Sequence, residues 1–156
     1  MISIDIPGWG NLEIEYVLFD LNGTLTEDGK VLPGVKEGIQ ALSEWVKVYI
    51  LTADTLATAM ETLQDLQVEL VIIPGENSQR GKVDFLKTLR PEVTVAIGNG
   101  SNDQLMLQES ALGIAVLQGE GMSRAAMENA DIIVKDISDA FDLLLKPKRL
   151  IATLRE

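Results

Sequence analysis

The chain has 156 residues, a length that fits one domain, with 46% hydrophobic and 24% charged residues and a formal net charge of −11. An acidic balance of this size argues against nucleic-acid binding, which needs clustered Lys and Arg, and against docking on an anionic membrane. Cysteine and histidine are both absent, which excludes disulfides, thiol catalysis, Ser-His-Asp triads, histidine bases and every Cys- or His-built metal site.

Any chemistry must therefore come from carboxylates, hydroxyls, Lys, Arg, amides and an oxygen-liganded hard cation, with Mg2+ first in line. No apolar run approaches the ~20 residues that span a bilayer. The opening Met1-Ile2-Ser3-Ile4-Asp5 lacks the basic start and apolar block of a signal peptide, so a cytoplasmic location is expected.

In chain order, Ile2, Ile4 and Ile6 alternate with Ser3 and Asp5, Pro7 to Asn11 supplies turn chemistry, and Leu12, Ile14 and Tyr16 alternate with Glu13 and Glu15. This predicts a β-hairpin whose second strand runs on into a buried segment ending at Asp20. After Pro33-Gly34, Val35, Ile39, Leu42 and Val46 have helical spacing. Lys47 to Leu51 reads as a strand ending at Thr52, Leu56, Met60, Leu63 and Leu66 as a helix, and Leu70 to Ile73 as a strand. Gly75 to Gly81 reads as a polar loop and Lys82 to Leu89 as a helix stopped by Pro91. Val93 to Ile97 is the next strand, followed by a helix through Leu105 and Met106. Leu112 to Leu117 and Asp131 to Val134 are short strands around a small helix, and the chain is helical from Ser138 with a break at Pro147. Strands alternating with helices predict an α/β fold: a three-layer α/β/α sandwich with a mainly parallel sheet plus an N-terminal β-hairpin, one domain over residues 1–156. Trp9 is expected in turn packing and Trp45 in the core.

Two stretches stand at strand tips: Asp20-Leu21-Asn22-Gly23-Thr24-Leu25-Thr26 and Gly98-Asn99-Gly100-Ser101-Asn102-Asp103. A carboxylate at the end of a buried parallel strand, among small residues and free amides, is where such folds place chemistry. Each residue also has a plain structural reading. Asp20 and Thr24 can cap a turn, Thr52 or Asp54 can cap a helix, and a lone Lys82 is ordinarily solvated surface. As chemistry, Asp20 is a candidate covalent nucleophile for phosphate, Thr52 and Lys82 are candidate phosphate ligands, and Asp103 can bind a cation directly or through water.

The order D-x-N-G-T-L-T, L-T, K, G-N-G-x-N-D resembles the four motifs of the haloacid dehalogenase superfamily, most of all the phosphorylation domain of P-type ATPases. The resemblance runs from about Tyr16 to Leu144 and implies a Rossmann-like sheet of that family's type. It implies Asp20 as nucleophile forming an aspartyl-phosphate, Asn22 at the general-acid position and Lys82 as charge partner. It further implies Gly23, Thr52, Ala53, Lys82 and Asn102 around the phosphate. Mg2+ would be held by Asp20, the backbone carbonyl of Asn22, Asn99 and Asp103, with Asp103 completing or supporting the shell.

Two expected carboxylates are amides here. Asn22 stands where most phosphatases of the superfamily carry the general acid, a group whose loss removes ~10²–10⁴ in rate, or roughly 3–5 kcal/mol of barrier lowering. Asn99 stands where a direct carboxylate ligand is expected, so cation affinity should fall. The expectation is a Mg2+-dependent phosphohydrolase or phosphotransferase, slow in dephosphorylation; the alternative is a catalytically degenerate binding or regulatory protein. The intervals Thr24–Thr52 and Thr52–Lys82 leave no room for a cap domain. An uncapped site suits a phosphorylated small molecule or a partner-presented phosphate, and a second copy of the chain is a candidate cover. Gly75 to Lys82 is not a P-loop, because its spacing is one residue too long and Val83 stands where Ser or Thr belongs.

Overall fold

The computed structural model describes residues 1–53 and 59–156. Strands β1 (Ile2–Ile6) and β2 (Gly10–Ile14) form an antiparallel hairpin with Ile2 opposite Ile14 and Ile6 opposite Gly10. At Glu15 the chain passes into the central sheet: its N–H donates to the Val93 carbonyl at 2.8 Å and its carbonyl accepts from Lys47 N–H at 2.9 Å. β3 (Tyr16–Asp20) follows, and then a small antiparallel pair, β4 (Thr26–Glu27) and β5 (Lys30–Val31). The turn of that pair is Asp28-Gly29, both at positive φ (51° and 79°), which suits a tight hairpin.

Next come α1 (Val35–Ser43), β6 (Lys47–Thr52), α2 (Ala59–Leu63) and β7 (Val68–Ile72). They are followed by α3 (Ser78–Thr88), β8 (Thr94–Gly98), a 3-10 turn over Ser101–Asp103 and α4 (Gln104–Glu109). The chain ends with β9 (Leu112–Val116), α5 (Arg124–Asn129), β10 (Ile132–Val134), α6 (Ile137–Leu145) and α7 (Pro147–Leu154). The main sheet is wholly parallel, in the order β10-β9-β8-β3-β6-β7.

Alternate residues along each strand feed two separate cores, as the period of two requires. Val17 and Phe19 of β3, with Val48 and Ile50 of β6, face α1, α6, α7 and the N-terminal hairpin. The Phe19 and Phe141 rings meet on that side with centroids 5.4 Å apart. Leu18, Tyr49, Leu51, Ala96 and Ala115 face α3, α4 and α5 on the other. Helices thus cover both faces, giving the expected three layers. No helix among the described residues is long and apolar enough to cross a membrane.

Two expectations need correction. Gly75 to Gly81 is not all loop, because α3 starts at Ser78, after Asn77 in the left-handed region (φ 55°). Gly81 lies inside that helix, where a Cβ would come within 2.5 Å of Ile73 Cγ2, so the glycine serves close packing on the strand side. Trp45 is 58% exposed instead of core. Leu56 of the expected second helix, and Asp54 as a cap, lie outside the described residues.

The sequence runs outward from β3 through β6 to β7, then returns to β8 on the other side of β3. The strand order therefore reverses beside β3, and the crevice at the carboxyl ends of such strands is where parallel sheets bind ligands. Asp20, Thr52 and Gly98 end β3, β6 and β8 at that same edge.

Candidate active site

Asp20 follows Leu18 in the alternation and so leans toward the face covered by α3. Lys82 sits in the second turn of α3 and reaches back under the strand tips. Its Nζ donates to Asp20 Oδ1 and to Asp103 Oδ1, each at 2.7 Å. The three groups are 8%, 1% and 0% exposed for Asp20, Lys82 and Asp103. A buried ammonium persists only with such partners. The plain reading of Lys82 as solvated surface is thereby excluded, and two aspartates far apart in sequence are joined through one atom.

Asp103 also accepts through Oδ2 from the N–H groups of Asn99 (3.1 Å) and Gly100 (3.0 Å). Three donors satisfy its carboxylate.

The loop after Asp20 is wound around one carbonyl: Leu21 O accepts from the N–H groups of Thr24, Leu25 and Thr26. Gly23 has φ 83°, and a Cβ there would fall 2.4 Å from Asn99 Nδ2, so only glycine fits between the two motif loops. Gly23 N–H donates to Thr26 O at 2.9 Å, and the Asn22 side chain is exposed, with Oδ1 3.4 Å from the Thr26 hydroxyl. The buried Thr24 hydroxyl lies 3.1 Å from Asp20 Oδ2 and 3.2 Å from Asn99 Oδ1. One hydroxyl proton cannot serve both oxygens, so an all-oxygen pair is left short of a donor at the mouth of the site.

The other candidate residues lie at neighbouring strand ends and loops. Thr52 is buried at the tip of β6, and Ala53 is exposed beside it. Asn102 is half-buried and donates to Ser78 Oγ at 3.1 Å, tying the fourth motif to the first turn of α3.

No protein-family model matches the chain. A protein named soluble P-type ATPase-like phosphatase, from Methanocaldococcus jannaschii, is 31% identical over 143 residues, which cover 89% of this chain and 52% of that protein. A cadmium/zinc-transporting ATPase of Arabidopsis thaliana is 28% identical over 158 residues, covering 96% of this chain and 16% of the transporter. The crystal structure of 3-deoxy-D-manno-octulosonate 8-phosphate phosphatase from Moraxella catarrhalis, in complex with magnesium ion, phosphate ion and KDO, has the same fold. The TM-score is 0.71 at 18% identity, over 91% of this chain and 94% of that one. The chain is thus similar in sequence to P-type ATPase-like proteins and in fold to a phosphatase of known structure. It spans about half the length of its soluble archaeal relative.

The electrostatics of this site follow from its burial. Desolvation pushes the Asp20 carboxyl up to about 7; the Asp103 charge adds to the rise, while Lys82 and Thr24 oppose it. Burial pulls the Lys82 ammonium down, yet the Asp20 and Asp103 carboxylates outweigh it and its pKa ends raised. With all three ionised the triad carries one net negative charge.

Sequence reasoning missed one residue of the frame. Gln118, just beyond β9, donates from Nε2 to the carbonyls of Thr24 (2.9 Å) and Gly23 (3.3 Å). Its Oε1 accepts the N–H of Ile137 at 2.8 Å. A lone glutamine after a strand has no sequence pattern that marks it. The β4–β5 pair beside the site was also missed, although Asp28-Gly29 is a hairpin signal.

Proposed function

We propose that the chain is a divalent-metal-dependent phosphohydrolase that transfers a phosphoryl group to Asp20, with Mg2+ as the metal. The observation that carries this reading is the buried Asp20–Lys82–Asp103 triad at the tip of β3, with Thr24 on the second oxygen of Asp20. The donor set fits a hard cation. Asp20 and Asn99 offer oxygens that share a single hydroxyl proton, and the Asn22 carbonyl would add the third that the resemblance implies. Bound there, the ion would supply charge neutralisation between carboxylate and phosphoryl oxygens.

The chain's own residues then divide the work. Lys82 holds Asp20 Oδ1 in place and, with Thr52, Gly23, Ala53 and Asn102, forms the phosphoryl cradle. Asp20 attacks phosphorus in line; the Asp20 O–P bond forms as the bond to the leaving oxygen breaks with its electron pair. That oxygen must draw its proton from solvent, because the Asn22 amide is no acid at neutral pH. Water then attacks phosphorus and the Asp20 O–P bond breaks, releasing phosphate. Asn22 cannot take that water's proton, which passes to solvent instead, so the aspartyl-phosphate is long-lived. Asp103 supports the cradle by fixing Lys82 and the Asn99–Gly100 backbone. Substrates that meet an uncapped site are phosphorylated small molecules with good leaving groups, or a phosphate presented by a partner protein.

The test is incubation with Mg2+ and an aryl or acyl phosphate. Phosphate should appear on Asp20 and nowhere in an Asp20→Asn variant, and release should be slower than capture. A wild-type chain that binds Mg2+ and beryllium fluoride at Asp20 but never turns over would favour the regulatory reading, which the amides at 22 and 99 support.

A further inference from the structure

We propose that Gln118 is a positioning residue that sets the nucleophile through Thr24, an inference that rests on the phosphotransfer reading above. The two carbonyls that Gln118 grips, of Gly23 and Thr24, belong to the peptide planes on either side of the Thr24 Cα. Fixing both planes fixes the direction in which the Thr24 side chain leaves the backbone. That side chain is fully buried, and its hydroxyl meets Asp20 Oδ2 and Asn99 Oδ1. The orientation of the Gln118 amide is itself determined. Two carbonyls stand on one side and the Ile137 N–H on the other, so only one of the two flipped forms satisfies all three.

The anchor at Ile137 gives this grip its rigidity. Ile137 is the first residue of α6, a helix capped by the Asp136 side chain on Ser138 N–H and packed through Phe141 on Phe19 of β3. Gln118 therefore connects the loop beside the nucleophile to the helix behind the same strand. The β9 loop makes a second attachment nearby, where Asn99 Nδ2 donates to Gly121 O at 3.0 Å. The strand-tip loops of β3, β8 and β9 form one frame, and Gln118 is the part of it that acts on Asp20.

Gln118→Glu separates this role from a merely structural one. It keeps the shape and the acceptor for Ile137 N–H but replaces both donors by an oxygen that faces two carbonyls. We expect a melting temperature lowered by several degrees, faster amide exchange concentrated in residues 21–26, and kcat for an aryl phosphate lowered about tenfold with KM within about twofold. In a Thr24→Val background the same substitution should cause no further loss of kcat, because the two residues act in series. Wild-type kcat and exchange in Gln118→Glu, or losses that simply multiply in the double variant, overturn the proposal. Wild-type protein without Mg2+-dependent turnover would instead overturn the phosphotransfer reading. In that event the exchange of residues 21–26 still decides the grip: unchanged exchange in Gln118→Glu refutes it.

Discussion

Asn99 donates its Nδ2 hydrogen to the Gly121 carbonyl at 3.0 Å, a bond that an aspartate in its place cannot make. The amide is thus built into the frame, and Asn99→Asp does two opposed things. Without metal it should destabilise the fold by about 1–3 kcal/mol, the cost of setting a carboxylate oxygen against a carbonyl that has lost its donor. With Mg2+ the added charge should tighten binding and recover part of that loss by linkage. Urea unfolding with and without Mg2+ measures both. A variant equally stable in the two conditions and unchanged in Mg2+ affinity would show that this position lies outside the metal site.

Asn22→Asp restores an acid and base at an exposed position two residues beyond the nucleophile. Turnover of an aryl phosphate should rise by ~10²–10⁴, mostly through faster hydrolysis of the aspartyl-phosphate. Single-turnover measurements separate the two steps. An unchanged hydrolysis step would sink the proposal that Asn22 slows dephosphorylation.

Lys82→Met leaves two buried carboxylates facing each other without their shared cation. Removing one partner of such a group costs ~3–5 kcal/mol. Denaturant unfolding should show that loss, together with failure to form the aspartyl-phosphate. The triple change that also converts Asp20 and Asp103 to Asn should regain much of the stability and none of the activity.

The raised Asp20 pKa has a definite sign in both stability and rate. In the unfolded chain Asp20 titrates near 3.8, whereas in the fold it titrates near 7, so the folded state holds an extra proton between these values. Its contribution to stability is fully present below about pH 4 and is lost as pH rises through about 7. Asp20→Asn should flatten that fall and be more stable than wild type at pH 8. The nucleophile must be ionised, so kcat/KM at limiting Mg2+ should rise with pH with a midpoint near 7 and move lower as Mg2+ is added. A rate profile flat from pH 5 to 8 would contradict this ionisation.

How much of this was legible varied with the kind of signal. Asp20 and Asp103 could be read because each follows a strand-length apolar run with turn-forming small residues, a pattern set by burial. Lys82 was readable only through its order among the motifs; nothing local shows that α3 turns it inward. The start of α3 was obscured because Gly81 reads as loop, yet it is a packing contact against Ile73. Trp45 was expected in the core on hydrophobicity alone, which ignores that it sits in the short turn between α1 and β6. Gln118 was invisible for a simpler reason: its partners are backbone carbonyls from a segment far away in sequence, and backbone atoms leave no mark on composition.

Trp45 lies two residues before the start of β6, whose far end carries Thr52, so the indole stands at the end of the sheet opposite the strand tips. Trp9 closes the turn of the N-terminal hairpin, upstream of where β3 enters the sheet. With these as the chain's two tryptophans, its intrinsic fluorescence should report melting of the scaffold and stay unchanged on addition of phosphate. An indole introduced at Ala53, exposed beside Thr52, would give the site a fluorescent voice of its own.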